Sequence, residues 1–597
     1  VRWLPCAPPH GMVTTLLADA ESLLRNARSV FGGLALLAAI GWSHSWAAEP
    51  PRTQARSMVI TRYGIVATSQ ALASRAGAQI LELGGSAVDA AIAANAVLGV
   101  VEPMSDGVGG DLFAIVEEAK TGKLHGLNAS GWAPAKMTLE SVRSRGLATM
   151  PEEGILAVTV PGCVAGWEAL HRRFGKLPLS TVLAPAIRYA REGFPVTERI
   201  SRGWKAVEES KEADATFGQT FFPGGRAPQL GEVFRNPDLA TSLQRIADKG
   251  KDGFYRGPTA AAILELSRRA GGSMEAEDLT AFEAEWVQPI STTYRGWQIF
   301  ELPPNGQGIA ALLMLDLMER FPLAEYGQNS TRALHVMIEA KKLAYADLLR
   351  YVADPRFSEV PVGALLSKAH AEARARQIDP KRAMPSVAPT AAADLTAKRA
   401  GDTIYLSAID GEGNIVSLIQ SVYDSFGAKL VAPGTGFALQ NRGALFSLDP
   451  SHPNVLAPRK RPLHTIIPGF MRKGDVHIGF GIMGGWNQAQ AHAQFVSNVV
   501  DFGMNLQAAL EAPRFTKSSF EGLDVLIEPR VPETTRGELT RLGHQLELLG
   551  EPYSSSVGGG QAVMNDGHGV HYGASDPRKD GAADPQAPPL AAPRRRR

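Results

Sequence analysis

Cysteine is almost missing from this chain: two residues in 597, Cys6 and Cys163. Cys6 falls in a segment expected to be removed, so no internal disulfide is expected and stability must come from packing. An excess of one charge is missing too. Lys and Arg number 61 against 60 Asp and Glu, a net charge of +1, which excludes the global electrostatic footprint of a nucleic-acid or acidic-membrane binder. A small molecule or peptide is the expected partner. After Ala48 no apolar run approaches the ~18 residues that signal a membrane span, so no stable membrane insertion is expected. Nor do His, Cys, Asp and Glu recur at ligand spacing, and neither metal nor cofactor is expected. The pair His568 and His571 lies in a glycine-rich turn and reads as solvent-facing. The run from Ser105 to Asp111 is rich in glycine but lacks the Lys-Ser/Thr of a phosphate loop and the spacing of a dinucleotide fingerprint, so it reads as a site of close packing. What is present suits a folded, loop-rich protein: 44% hydrophobic and 20% charged residues, with length for several domains or one large sandwich carrying insertions.

Near the start, Arg25 and Arg28 precede an apolar stretch, Phe31 to Trp42, too short to span a bilayer. Small residues follow at Ala47 and Ala48. This is the layout of an export signal over residues 1–48, with a buried or monotopic anchor helix as the alternative, since Asp19 and Glu21 lie upstream. A periplasmic or secreted location is expected. The run Arg594 to Arg597 reads as a disordered tail.

From Ala67 to Val101 the chain reads as helical, broken at Leu83-Gly-Gly-Ser86, where the glycines end one helix and Ser86 caps the next. Leu112 to Glu117 reads as a strand. Residues 155–350 read as mostly helical, with a long helix over Thr331 to Tyr351 behind a Ser330 cap. Between Asp379 and Gly401 proline, alanine and lysine dominate, a linker. Thr403 to Ile409, a turn at Asp410 to Asn414, and Ile415 to Ser421 make a hairpin. Symmetry about Glu412 sets Thr403 opposite Ser421, within side-chain reach. Two hydroxyls at one sheet end serve either β-propensity or chemistry. A strand from Val476 to Ile482 runs into Met483-Gly484-Gly485-Trp486 and a helix towards Val500. Free N–H groups there are either oxyanion donors or an ordinary strand-to-helix turn.

Together with Gly84–Ala91, Glu102-Pro103, Asp402-Thr403, Asp410 with Gly413-Asn414, Arg461-Pro-Leu463, Gly484-Gly485, Ala512-Pro-Arg514 and Gly573–Arg578, these features make the chain resemble the γ-glutamyltranspeptidase (glutathione hydrolase) family of N-terminal-nucleophile hydrolases, over nearly all of residues 58–582. The resemblance implies an αββα four-layer sandwich. It also implies a precursor cut by itself at Asp402–Thr403 into a large subunit, 49–402, and a small one, 403–597, which stay together as a heterodimer. Thr403 would then supply the nucleophile through its hydroxyl and the base through its freed α-amine, whose ordinary pKa is ~7.7–8.0. Ser421 matches the family's hydroxyl residue beside the nucleophile. Gly484 and Gly485 match its oxyanion-hole glycines.

The recognition half departs from the family. Its carboxylate-binding arginine falls at Ser130 and its ammonium-binding aspartate at Leu445; its paired serines become His464 and Thr465, and an asparagine becomes Tyr423. Arg442 and Arg461 remain as anion contacts or, equally, as structural ion-pair partners. His464 is either a substrate donor or a satisfied core histidine. The segment Ser447 to Pro458 is shorter than many family lids, which implies an open pocket. These substitutions point to an acylase acting on a small-molecule amide whose acyl group lacks the amino-acid head, glutaryl-type or another small dicarboxylic acyl. A genuine glutathione hydrolase/γ-glutamyltransferase and a non-catalytic periplasmic binding protein are the alternatives.

Overall fold

The computed structural model describes residues 54–387 and 402–589. The expected export segment, most of the linker and the arginine tail lie outside them.

Two antiparallel seven-stranded sheets lie face to face. In the first, the hairpin strands Asp402–Ile409 and Ile415–Tyr423 are central, flanked by Ile65–Thr68 on one side and Asp111–Glu118 then Lys123–Ala129 on the other. In the second, Gly469–Lys473 and Val476–Ile482 sit in the interior beside Gly560–Asn565 and Trp297–Glu301. Alternation along the hairpin explains the layers. Ile404, Leu406 and Ala408 bury against helices, whereas Tyr405 and Ile409 bury between the sheets with Phe113, Ile419, Phe470 and Val563. Helices Ala71–Glu82 and Ala87–Val101 cover the outer face of the first sheet. Gly308–Met318 and Gln488–Val500 cover the second. This is the αββα order. Among the described residues no helix is long and apolar enough to cross a membrane.

Local chemistry fixes the elements that matter. Ser86 caps the second helix through a reciprocal box with Asp89, and Ser330 caps Thr331–Tyr351, both as the sequence predicts. Asp410 Oδ1 accepts from the N–H groups of Glu412 and Asn414, and Gly413 takes φ 85°, which closes the hairpin turn.

The expectations need four corrections. Helix does not begin at Ala67: Ile65–Thr68 is a strand, because its four residues are buried between two neighbours that use their backbone groups. The 155–350 stretch is mostly helical as expected, but it also contains the strands Glu285–Val287, Ile290–Tyr294 and Trp297–Glu301, which extend both sheets. The start of the expected linker is packed: the Ala383 N–H donates to Leu542 O at 2.7 Å, and Ala383 and Val387 are buried. His571 is buried in a strand with Nδ1 against Tyr63 O, while His568 is exposed as expected.

Candidate active site

The hairpin brings Thr403 and Ser421 together at the end of the two central strands. From Ile404↔Gln420 onward the register is the one symmetry about Glu412 demands, and a bulge lies between Asp402 and Ile404. Thr403 Oγ donates to Ser421 Oγ at 3.2 Å. Ser421 Oγ in turn donates to the Asp402 carbonyl at 2.9 Å and accepts the Tyr423 N–H at 2.7 Å. The hydroxyl of Ser421 therefore bridges the threonine hydroxyl and the carbonyl of the bond that precedes it. Asp402 is also gripped by Ser425 Oγ.

The backbone beyond Ser421 is strained. Tyr423, Phe426 and Lys429 take φ of 83°, 58° and 55°, and each such non-glycine residue costs about 1–3 kcal/mol that its surroundings must offset. Phe426 is held by the rings of Trp204, Phe217 and Phe221. The Asp424 N–H is held by Asn441 Oδ1 at 3.1 Å.

Gly484 and Gly485 take φ of 128° and 55°, which turns the chain from strand into the helix start. Among the described residues neither N–H has an acceptor. Gln307 Nε2 donates to both Gly485 O, 2.8 Å, and Thr465 O, 2.6 Å. The Tyr345 hydroxyl contacts Gln307 Oε1 and Trp486 O. Carbonyls are thus tied back while the glycine N–H groups are left available.

Arg442 is fully buried on the 3-10 turn Arg442–Leu445. One nitrogen, Nη1, donates to Thr465 Oγ at 2.6 Å, and the guanidinium lies 4.4 Å from the Tyr423 ring centroid. Nε and Nη2 have no partner. Burial pushes the guanidinium pKa down to about 10, partly offset by the nearby Asp111, Tyr423 and Asp424. Asp111 Oδ1 accepts the N–H of Gly131 and of Gly162 and the amide of Gln440; its other oxygen meets His464 Nε2 at 3.0 Å. Burial raises the Asp111 carboxyl to about 7 against the pull of Arg442, and it keeps His464 well below its ordinary value.

A cavity of about 440 Å³ opens beside these groups, with Tyr423, Asp424, Leu445, Phe446, Trp486 and Phe520 in its walls. Leu448 and Leu456, from the short segment expected to leave the pocket open, pack with Ala133, Met137 and Met150.

Of the expected site residues, Thr403, Ser421, Asp402 and Tyr423 form one cluster, Arg442 and Thr465 a second joined to it by the Tyr423 ring, and Gly484 and Gly485 connect through Gln307. His464 does not join as a ligand contact. Both ring nitrogens are engaged inside the protein, Nε2 by Asp111 and Nδ1 by the Ile466 N–H at 3.3 Å. Arg461 is a structural partner: it pairs with Glu285 and donates to Ser130 O at 3.1 Å. Gln307 and Tyr345 escape sequence reasoning, while Trp486 closes the glycine turn and Asp111 the glycine run that the sequence singles out without giving either side chain a role. The signal at Asp111 is an acidic residue where a glycine loop enters a strand.

The described residues do hold one group of metal-ligand type that the spacing along the sequence does not reveal: His335, Glu339 and His544, all buried, with ligand atoms within 4.8 Å of one another. All three are hydrogen-bonded within the fold, with His544 Nδ1 left without a partner among the described residues. His335 Nδ1 and His544 Nε2 share a hydrogen bond of 2.8 Å, and Lys342 Nζ sits 2.7 Å from Glu339 Oε1, supplying the positive charge.

The sequence model described as gamma-glutamyltranspeptidase matches residues 73–586. The chain is 37% identical to the glutathione hydrolase-like YwrD proenzyme of Bacillus subtilis, over 88% of this chain and 99% of that protein. It is 34% identical to the oxamate amidohydrolase proenzyme of Klebsiella pneumoniae, over 88% and 98%. The crystal structure of cephalosporin acylase from Bacillus halodurans superposes with a TM-score of 0.83 at 43% identity, covering 90% of this chain and 98% of that one. The chain therefore belongs to the gamma-glutamyltranspeptidase family, and it is an enzyme of the N-terminal-nucleophile hydrolase/acyltransferase type.

Proposed function

We propose that the protein is an exported amidohydrolase, periplasmic or secreted, made as a precursor that cuts itself before Thr403. The observation that carries this reading is the hydroxyl relay from Thr403 Oγ through Ser421 Oγ to the Asp402 carbonyl. As Thr403 Oγ bonds to the Asp402 carbonyl carbon, its proton passes to Ser421, whose own proton goes to the carbonyl oxygen. The resulting hydroxyl then returns a proton to nitrogen as the C–N bond breaks, leaving an Asp402 ester on Thr403 and a free α-amine. Water hydrolyses that ester to the Asp402 carboxyl and the Thr403 hydroxyl. The products are a large subunit, 49–402, and a small one, 403–597, which remain packed as a heterodimer.

In the mature enzyme the α-amine takes the Thr403 hydroxyl proton as Oγ attacks a substrate amide carbon and gives it to the departing amine. Gly484 and Gly485 donate to the tetrahedral oxyanion. Water then releases the acid. The acyl group is a des-amino dicarboxylic one of glutaryl type, for two reasons. At the position of the family's ammonium-binding aspartate the cavity wall offers Leu445, which cannot pair with a donor ammonium; leaving the ammonium there costs about 1–3 kcal/mol unless it reaches Glu152, Glu153 or Asp424 elsewhere in the wall. Ser130 is fully buried and committed to Asn128 and Asn305.

Mass spectrometry of active protein should find a small subunit beginning at Thr403, and Thr403→Ala should stay a single, inactive chain. Full activity in an uncut chain would sink the mechanism. Purified protein should turn over glutaryl-anilide with a higher kcat/KM than γ-glutamyl-anilide; a tenfold preference the other way would make glutathione hydrolase the better reading.

A further inference from the structure

A guanidinium has five donors, and a buried one is tolerable only where they are used. Arg442 uses one, on Thr465 Oγ, and leaves Nε and Nη2 bare. No carboxylate reaches it within ion-pair distance among the described residues. Asp111, near enough to act on it electrostatically, spends both oxygens on Gly131, Gly162, Gln440 and His464. The two bare nitrogens, Nε and one Nη, are the edge by which arginine takes a carboxylate through two parallel hydrogen bonds. The position is right for a ligand. Tyr423, which covers the guanidinium, and Ala444 and Leu445, which follow Arg442 on the same turn, all line the cavity. Through Thr465 and Gln307 the same arginine is tied to the Gly485 carbonyl, so an anion held here sits at a fixed place relative to the glycine turn.

We infer that Arg442, with Thr465 holding its fork, is the receptor for the distal carboxylate of the acyl group, which defines the substrates as monoamides of short dicarboxylic acids. This rests on the acylase reading and names the residue that makes it selective. Tyr423 is then the side chain that must tilt to admit the carboxylate, and a donor with a methyl group in place of the carboxylate meets a buried cation instead.

The test compares wild type with Arg442→Met and Arg442→Lys, all confirmed as cut before Thr403 by mass spectrometry. The first reading is the ratio of kcat/KM for glutaryl-anilide to that for pentanoyl-anilide. It should fall roughly 30–100-fold in Arg442→Met, with Arg442→Lys in between because the charge stays and the fork is lost. The second is calorimetric titration with glutarate, which should bind wild type and be lost in Arg442→Met, with inorganic phosphate much weaker. If no anilide is turned over, the acylase reading falls while glutarate binding that depends on Arg442 still sustains the receptor. An unchanged ratio, glutarate binding indifferent to both substitutions, or phosphate binding as tightly as glutarate would each overturn it. Should Arg442→Met fail to accumulate, Arg442→Lys decides by the same two readings.

Discussion

Arg442, Arg514 and Arg578 are all fully buried, and they live in opposite circumstances. Arg514 and Arg578 form a quartet with Asp576 and Glu528, which Arg530 joins at 2.8 Å from Glu528: Arg578 meets Glu528 at 2.6 Å and Asp576 at 3.0 Å, Arg514 meets Asp576 at 2.5 Å, and the carbonyls of Leu510, Ala512 and Gly558 take remaining donors. Arg442 has a single hydroxyl and an aromatic face. A charge removed from water needs compensation from inside the fold. The quartet supplies it completely and locks the strands Gly560–Asn565 and His571–Ser575 to the chain around Arg514. Arg442 lacks it, and the deficit lies beside a cavity.

The sharpest way to break this contrast is to remove each guanidinium and measure unfolding. Arg578→Met strips Glu528 and Asp576 of a shared partner and should cost about 3–5 kcal/mol, the usual penalty for breaking a buried pair from one side. Urea titration should show it, or the folded yield should collapse. Arg442→Met removes a charge with little to lose and should leave unfolding within ~1 kcal/mol of wild type without ligand. Equal losses at the two sites would mean that Arg442 is a structural residue as well.

A second comparison uses pH. Burial raises the Asp111 carboxyl to about 7, whereas an unfolded aspartate releases its proton near ~3.9. In the neutral form the proton sits on Oδ2 and His464 switches to the tautomer with Nδ1 protonated, giving up its 3.3 Å contact with the Ile466 N–H. Across that window the folded state binds the proton that the unfolded state has lost, so this group's stabilising contribution is complete below the window and is lost as pH rises through it. Function should follow the same event. With Asp111 neutral, Arg442 faces neutral His464, the Tyr423 ring, Thr465 and the more weakly acting Asp424; once ionised, Asp111 becomes an internal counter-charge that competes with a donor carboxylate. KM for glutaryl-anilide should therefore rise several-fold from pH 6 to 8 while KM for pentanoyl-anilide does not. The Thr403 amine titrates nearby but acts on both donors alike, so parallel profiles would remove Asp111 from the argument.

What was legible in the sequence is what local spacing controls. A five-residue turn with Asp and Gly at fixed places gives the hairpin register, and with it the meeting of Thr403 and Ser421. Ser86 and Ser330 announce their helices for the same reason. Contacts across the fold carry no such mark. Asp111 meets His464 across 353 positions, and Gln307 spans 158 and 178 to reach Thr465 and Gly485. Whether Arg461 or Arg442 would find a carboxylate was open until the fold placed Glu285 by one and none by the other. The glycine turn also changes an obvious experiment. From the sequence, proline at 485 deletes one N–H cleanly, but Gly485 at φ 55° is beyond a ring fixed near −65°, so Gly485→Pro would break the turn itself.

The smallest expected effect concerns the donor's other end. Restoring both missing clamps is not a fair test, since Ser130 is enclosed and Arg461 already donates to its carbonyl; a second guanidinium there would add an unpaired charge. Leu445 lines the cavity, so Leu445→Asp alone can place a carboxylate where a donor ammonium would lie. It should shift the ratio of γ-glutamyl to glutaryl turnover about tenfold towards γ-glutamyl, equivalent to ~1.4 kcal/mol. The gain is limited by geometry: the new carboxylate stands three residues from Arg442 on the same tight turn and can pair with it instead. That competition has its own signature. If the introduced carboxylate turns inward, glutaryl-anilide should lose kcat/KM without any gain by the γ-glutamyl donor, and glutarate affinity should fall with it. If it faces the cavity, glutarate affinity is kept and only the γ-glutamyl donor improves. Either result locates the donor head relative to Arg442; no change in either donor would place the acyl group elsewhere in the cavity.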